Sequence, residues 1–155
     1  MNNAFQIVGR LGDLTDWTLS NLKFQKALYL CQMFFIGVEQ RPLFDEDFEA
    51  WDYGPVIPEV YHTLKMFGSS NVKPLSILNG DGVTDEAAND WIGQIADLAQ
   101  SKTSGKLVSI THWEHGAWSK HYMKGMQGII IPKASIVEEY NTRLAKRNEK
   151  TQQAG

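Results

Sequence analysis

The longest hydrophobic pattern of the chain lies between residues 21 and 38 and is apolar around most of a helical circumference. Ser20 stands directly before it and belongs to the residue types that cap helices. A helix that is apolar nearly all round is buried on every side. We therefore predict a buried central helix over about residues 21–38. Its apolar positions include Leu22, Phe24, Ala27, Leu28, Tyr29, Cys31, Met33, Phe34, Phe35, Ile36 and Val38.

Shorter patterns predict four further helices. Residues 4–12 repeat apolar side chains at helical spacing. Pro58 suits the first turn of a second helix, which Gly68 ends. We expect Thr84 to cap a third helix and Pro132 to introduce the last. The supporting apolar positions are Phe5, Val8 and Leu11; Val60, Tyr61 and Leu64; Ala88, Trp91, Ile92, Ile95 and Ala99; and Ile136, Val137, Tyr140 and Leu144.

Other stretches favour extended backbone. Residues 44–53 interleave acidic and apolar residues, which we interpret as an edge strand with its carboxylates in solvent. Residues 129–131 are also expected to be extended. Residues 106–113 are ambiguous, because their β-branched residues favour a strand whereas the spacing of Leu107 and Thr111 allows a helix. The expected fold is mainly α, a compact single domain with at most a small two-stranded β element.

Length and composition agree with one globular domain. The 155 residues fit a single domain, and the contents of 43% apolar and 21% charged residues are ordinary. We place the domain at residues 1–147 and a flexible C-terminal tail at residues 148–155. The sequence shows neither a secretory leader pattern nor ~18 consecutive apolar residues, so a cytoplasmic protein without a membrane span is expected.

The charge balance bears on the class of partner. The formal net charge is −3, from 15 Lys and Arg against 18 Asp and Glu. Nucleic-acid binders usually carry a basic patch, because contacts to phosphates supply much of their affinity. Only the C-terminal end is basic here, as expected at the end of a solvated helix. We therefore expect no nucleic-acid partner.

No residue pattern indicates catalysis. His112 and His115 have a spacing that could place two imidazoles on one helical face, but a zinc site needs three or four ligands, and only Glu114 and His121 are near. We interpret the histidines as structural and expect no metal and no cofactor. Cys31, the single cysteine, lies among apolar residues and is expected to be a buried, unreactive thiol. Neither nucleotide-binding glycine motif occurs. We expect no enzyme.

One segment is unusual, residues 51–58 (WDYGPVIP). Pro55 and Pro58 fix their own φ angles and disfavour helix in the residues before them, so they form a rigid corner. Gly54 allows a backbone geometry that other residues resist. Trp51 and Tyr53 flank the corner. They either pin it to the core or anchor a partner, as aromatic residues with polar tips often do at interfaces.

The sequence resembles the Panacea domain, a family that includes phage-associated proteins and SocA-type antitoxins and adaptors. The matching blocks are residues 22–29 (LKFQKALY), 41–44 (RPLF), 49–61 (EAWDYGPVIPEVY), 68–70 (GSS) and 107–118 (LVSITHWEHGAW), in the order of the family. They span about residues 20 to 145. The chain departs from the family pattern at Ala27, Leu30, Met33-Phe34 and Tyr140-Asn141, which we interpret as exchanges of core side chains that leave the fold intact.

The resemblance implies a compact helical fold, a helix over Lys106 to Thr111, and an antitoxin function. The partner would be a cognate protein toxin encoded by an adjacent gene, which the antitoxin binds and neutralises. Two alternatives stay open: a proteolytic adaptor that hands its target to a protease, and a phage-encoded regulatory module that binds proteins other than toxins. Oligomeric state is left undetermined. As partner-binding residues we select Tyr53, Tyr61, His112, Trp113, His115 and Trp118, each of which could equally belong to the core.

Overall fold

The computed structural model describes the backbone of residues 1–154 and the side chains of residues 1–151. Over this range the chain is mainly helical, as predicted. The α-helices are α1 (Ala4–Leu14), α2 (Asn21–Glu39), α3 (Pro58–Leu64), α4 (Glu86–Ser101), α5 (Ser104–Thr111), α6 (Ala117–His121) and α7 (Lys133–Ala154). The strands are β1 (Phe48–Trp51), β2 (Gly54–Val56) and β3 (Ile130–Ile131). Short 3₁₀ turns occupy Lys65–Phe67 and Gly80–Gly82. Of the helices in this range, none is long and apolar enough to cross a membrane.

Helix α2 is the predicted central helix. The Ser20 side chain accepts a hydrogen bond from the Lys23 backbone N–H at its start, and Gln40 adopts a left-handed conformation at its end, with φ of 59°. Helices α1, α3, α4, α5 and α7 and strand β2 all pack on it. Because neighbours surround it, its polar as well as its apolar side chains become buried.

The sheet is antiparallel, with strand order β2-β1-β3. Trp51 pairs with Gly54, so β1 and β2 form a hairpin closed by the two residues Asp52 and Tyr53. Strand β3, in the stretch expected to be extended, pairs with β1 on the other side. The prediction of an edge strand over residues 44–53 is wrong, because β1 is shorter and lies at the centre of the sheet. The third strand is also one more than the two expected.

Several helix boundaries differ from the predictions. Asp85, not Thr84, caps α4, since its carboxylate accepts the Ala88 N–H. Helix α3 ends at Leu64 and a 3₁₀ turn follows before Gly68. Helix α7 continues to Ala154, so the backbone of residues 148–154 is helical, while residue 155 lies outside the described residues. The expectation of a flexible tail there, like the boundary at residue 147, stays a prediction.

Three polar side chains of α2 hold the hairpin and the segments directly before and after it. Gln32 donates to the Phe44 carbonyl over 2.9 Å and accepts the Leu43 N–H over 2.7 Å. Gln25 accepts the Ile57 N–H over 3.0 Å. The Lys26 ammonium donates to the Pro55 carbonyl over 2.9 Å. Buried backbone groups need such partners, and here the central helix supplies them to the segments on both sides of β1.

Candidate binding site around the hairpin

The hairpin of residues 48–56 is the centre of the site. Its turn requires Gly54, whose φ of 108° is a conformation that side chains other than glycine resist. Pro55 lies buried behind the turn, whereas Tyr53 at the tip is 71% exposed. The rigid corner predicted from the sequence is thus a β-hairpin that leads through Ile57 into α3. It presents one large aromatic side chain to solvent.

A first aromatic group, the Trp51 group, consists of Trp51, Tyr61 and His62. The Trp51 and Tyr61 rings meet edge to face with centroids 4.9 Å apart, and Tyr61 meets His62 in the same manner at 5.5 Å. The Trp51 indole N–H donates to the Glu49 carboxylate over 3.0 Å. Trp51 and Tyr61 are half-buried and His62 is exposed. These residues connect the hairpin to α3 while leaving ring edges accessible.

A second aromatic group, the Trp118 stack, consists of His112, Trp118 and Tyr122. The Trp118 ring lies parallel to that of His112 at a centroid distance of 3.7 Å and to that of Tyr122 at 4.5 Å. Its indole N–H donates to the Trp51 carbonyl over 2.7 Å. The Tyr122 hydroxyl donates to the Asp52 carboxylate over 2.5 Å, and this hydrogen bond raises the pKa of Tyr122. The stack therefore fixes the hairpin turn.

Lys26 lies underneath the turn and is fully buried. Desolvation of its ammonium group lowers its pKa to about 7. Burial, and then the nearby charge of Lys26, also lower the pKa of His112. Among the described residues, His112 Nε2 has no hydrogen-bond partner. An added Cβ at Gly54 would lie 2.9 Å from Lys26 Nζ and 3.3 Å from His112 Cδ2. The hairpin thus covers two neighbouring basic groups at close packing distance.

Glu139 of α7 joins α2, α6 and α7. One carboxylate oxygen accepts the Tyr29 hydroxyl over 2.6 Å and the Ala117 N–H over 2.9 Å. The other accepts the Arg143 guanidinium over 2.8 Å. Because the N-cap residue of α6 is Gly116, which has no side chain to cap the helix, Glu139 provides that cap from another helix. Burial, followed by the charge of Glu139, raises the pKa of Tyr29.

The structure brings four of the six selected residues to the hairpin. Tyr53 lies at the tip, Tyr61 in the Trp51 group, and His112 and Trp118 in the Trp118 stack. Trp113 and His115 pack against each other instead, with centroids 5.1 Å apart. The Arg143 guanidinium lies 4.5 Å from the centre of the Trp113 ring. Trp118 is only 9% exposed, so its main contacts are within the protein. Whether the six residues bind a partner stays a prediction.

Sequence reasoning missed Lys26, Tyr122 and Glu139 as parts of this region. Lys26 left one signal, a cation inside a helix that is otherwise apolar nearly all round. Tyr122 and Glu139 left none, because their partners lie far away along the chain. The three histidines considered for zinc have separate neighbours: Trp118 for His112, Trp113 for His115 and Ser135 for His121. In the part of the chain that the structure describes, no three His, Cys, Asp or Glu side chains form a group suited to a metal ion.

Comparison with known proteins identifies the family. Residues 24–119, more than half of the chain, match the family described as "Antitoxin SocA-like, Panacea domain". A protein named Antitoxin SocA, from Caulobacter vibrioides (strain NA1000 / CB15N), is 30% identical over 112 residues. That alignment covers 66% of this chain and 60% of the relative, so the chain spans about three fifths of the relative's length. No solved structure matches the chain significantly. The chain is a member of the SocA-like antitoxin family with a Panacea domain.

Proposed function

We propose that this protein is an antitoxin that binds a protein toxin encoded beside it and neutralises that toxin by covering it. The observation that carries the proposal is the family match over residues 24–119. This range contains most of α2, the whole hairpin, and α5 with the start of α6, which together supply most of the site; Tyr122 and Glu139 lie outside it. The relative bears the name of an antitoxin. We also propose that the two proteins bind each other directly and that they do so in the cytoplasm.

We propose further that the protein acts without catalysis. Both carboxylate oxygens of the buried Glu139 are occupied by hydrogen bonds within the fold. Burial raises the pKa of the Cys31 thiol well above its ordinary value, so the reactive thiolate is suppressed. The exposed Tyr53 and the half-buried rings around it are instead suited to contact with another protein, since aromatic residues are enriched at the energetic centres of interfaces.

Co-expression tests the function. The open reading frame beside the gene is expressed alone and together with this protein, with a frame-shifted copy of the antitoxin gene as the control. We expect growth arrest by the neighbour alone and with the frame-shifted copy, and recovery with the intact protein. Growth arrest that persists while both proteins accumulate in soluble form would reject neutralisation of that neighbour.

The half-life of the toxin separates covering from delivery to a protease. If the antitoxin only covers the toxin, the two proteins co-purify and the toxin's half-life is unchanged or longer when the antitoxin is present. A shorter half-life, restored by removing a single protease, would favour the adaptor alternative.

A further inference from the structure

The loop of residues 122–130, between α6 and β3, borders the hairpin. At its start, the Tyr122 hydroxyl donates to the Asp52 carboxylate. At its end, the Ala50 N–H donates to the Ile129 carbonyl over 2.9 Å, and Ile130 pairs with Glu49 in the sheet. Both ends of the loop are therefore fastened to the hairpin. Hairpin tip and loop form one continuous region.

This region exposes large apolar side chains. Tyr53 is 71% exposed, Met123 57%, Met126 53% and Ile130 51%. We refer to these four residues as the hairpin–loop surface. Apolar side chains that cluster in solvent mark interaction sites more often than single ones do. Methionine is unbranched and polarisable, so an exposed pair can adapt to the shape of a partner.

The loop has room to receive a partner. Every residue from 123 to 128 is exposed. Gly125 and Gly128 both have φ of 78°, and an added Cβ at either would meet no atom within 4 Å. The loop thus has open space beside both glycines, between the two ends that are fastened to the hairpin. Its methionines are accessible without displacement of a neighbouring element.

The charges around this surface select the chemistry of the partner. No Lys or Arg occurs between Arg41 and Lys65, whereas six acidic residues do: Asp45, Glu46, Asp47, Glu49, Asp52 and Glu59. Within the described residues, Asp47 has an ion pair, with Lys133 at 2.9 Å. Glu49 and Asp52 accept hydrogen bonds from neutral donors instead. Lys124 is the one basic residue of the loop, so the carboxylates of Glu49 and Asp52 outnumber the ammonium groups that the loop and the hairpin bring to this surface.

We propose that the hairpin–loop surface binds a segment of a protein partner that carries Lys or Arg beside apolar side chains. The apolar side chains of that segment pack on Met123, Met126 and Tyr53. Its cations lie near the carboxylates of Glu49 and Asp52. The inference rests on the proposed function only in taking the toxin to be the partner that carries this segment.

A defined pair of peptides tests the chemistry of the surface. Both form amphipathic helices with the same leucine positions, and the polar face carries Lys in one peptide and Glu in the other. Methionine methyl groups of the protein are labelled with ¹³C for NMR. We expect the Leu/Lys peptide to shift the signals of Met123 and Met126 and to leave those of the exposed Met66 and the buried Met33 in place. Equal binding of both peptides, no binding, or shifts confined to Met66 would overturn the proposal.

Variants that remove charge sharpen the test. Glu49→Gln combined with Asp52→Asn keeps the hydrogen-bond acceptors and removes two charges. We expect about tenfold weaker binding of the Leu/Lys peptide, equivalent to about 1.4 kcal/mol, and a smaller loss on raising the salt concentration from about 0.05 M to about 0.5 M. Glu86→Gln combined with Asp90→Asn, on α4, is the control and leaves binding unchanged. If only the control variant weakens binding of the peptide, the peptide binds at α4 and the proposal is wrong.

The same surface is then tested against a toxin identified by co-expression. Replacing Met123 and Met126 with Ala abolishes neutralisation if the surface is the binding site, while thermal melts show that the variant is folded. Neutralisation by the double variant at wild-type level would reject the surface and leave the antitoxin function standing. Conversely, specific binding of the Leu/Lys peptide without a toxic neighbour would leave the surface standing and reject the function.

Discussion

The Lys26 ammonium group donates a 2.9 Å hydrogen bond to the carbonyl oxygen of Pro55 across the interface between α2 and the hairpin. Lys26 is fully buried, and among the described residues no carboxylate forms an ion pair with it. A buried cation without a counter-charge is costly. The hydrogen bond that positions the hairpin therefore comes with a desolvated charge.

Lys26→Met should stabilise the fold at pH 7, by about 1–3 kcal/mol, because the gain from removing the desolvated charge exceeds the loss of one hydrogen bond. The pKa of Lys26 is about 7 in the folded protein against 10.5 in the unfolded chain. Between these values the unfolded chain binds more protons, so the wild type gains stability as pH rises. The variant lacks this gain. Urea unfolding at several pH values measures the stability of the variant and the pH dependence of the wild type. A strongly destabilised variant at pH 7 would contradict the conclusion that the buried charge of Lys26 is costly.

Glu139→Gln should lower the free energy of unfolding by about 3 kcal/mol, because it leaves the Arg143 guanidinium without its anion. Glu138→Gln is the matched control one residue earlier. Glu138 is exposed and lies 3.5 Å from Lys120, so its replacement should change stability by less than about 0.5 kcal/mol. Guanidinium unfolding of both variants checks the difference. Equal losses of stability in the two variants would show that the buried hydrogen bonds of Glu139 do not stabilise the fold.

Gly54→Ala should destabilise the protein by about 1–3 kcal/mol, because the φ of 108° disfavours a side chain and the new Cβ would press on Lys26 Nζ. Gly93→Ala is the control. Gly93 lies within α4, where an added Cβ meets no atom within 4 Å, so alanine should stabilise the helix by about 0.5–1 kcal/mol. Thermal melts should move in opposite directions for the two variants.

Trp118→Ala should cost about 3–5 kcal/mol, because it empties a buried site and leaves the Trp51 carbonyl without its donor. Tyr53→Ala should change stability by less than about 0.5 kcal/mol, since its ring projects into solvent. Circular dichroism at rising urea concentration tests this contrast. A large loss of stability in the Tyr53 variant would place that ring in the fold and remove it from the binding site.

Local pattern was sufficient for the main elements of the fold. The cap at Ser20 and the apolar positions after it predicted α2 almost to the residue, because capping and periodicity depend on near neighbours. The order of the strands was not accessible in this way. Which side of β1 is covered depends on β3, about eighty residues further along the chain. Thr84 was predicted as the cap of α4 in place of Asp85, because both residue types cap helices and only the geometry of the preceding turn decides between neighbours.

The site was predictable only in part. The aromatic segments of residues 51–61 and 112–118 were recognised, and the fold brings them together at the hairpin. Their composition could not separate Trp118, which is held inside, from Tyr53, which is in solvent, because both are large aromatic residues with polar tips. Glu139 was not recognised because its partner Tyr29 lies 110 residues away in sequence. Only the folded chain shows that this carboxylate caps α6.

Because Glu139 caps α6, the segment that matches the family model is shorter than the segment that the fold needs. The stretch held in common with the family ends at residue 119, inside the helix whose first turn Glu139 completes from outside that stretch. A chain that ended there would keep the residues that match the family model and lose β3, the Glu139 carboxylate and the contacts between β3 and the hairpin. A chimaera that carries residues 24–119 of this chain in another family member should fold only if the last helix of that member supplies a carboxylate at the position of Glu139. The segment that identifies the family thus ends before the residues that complete its last helix.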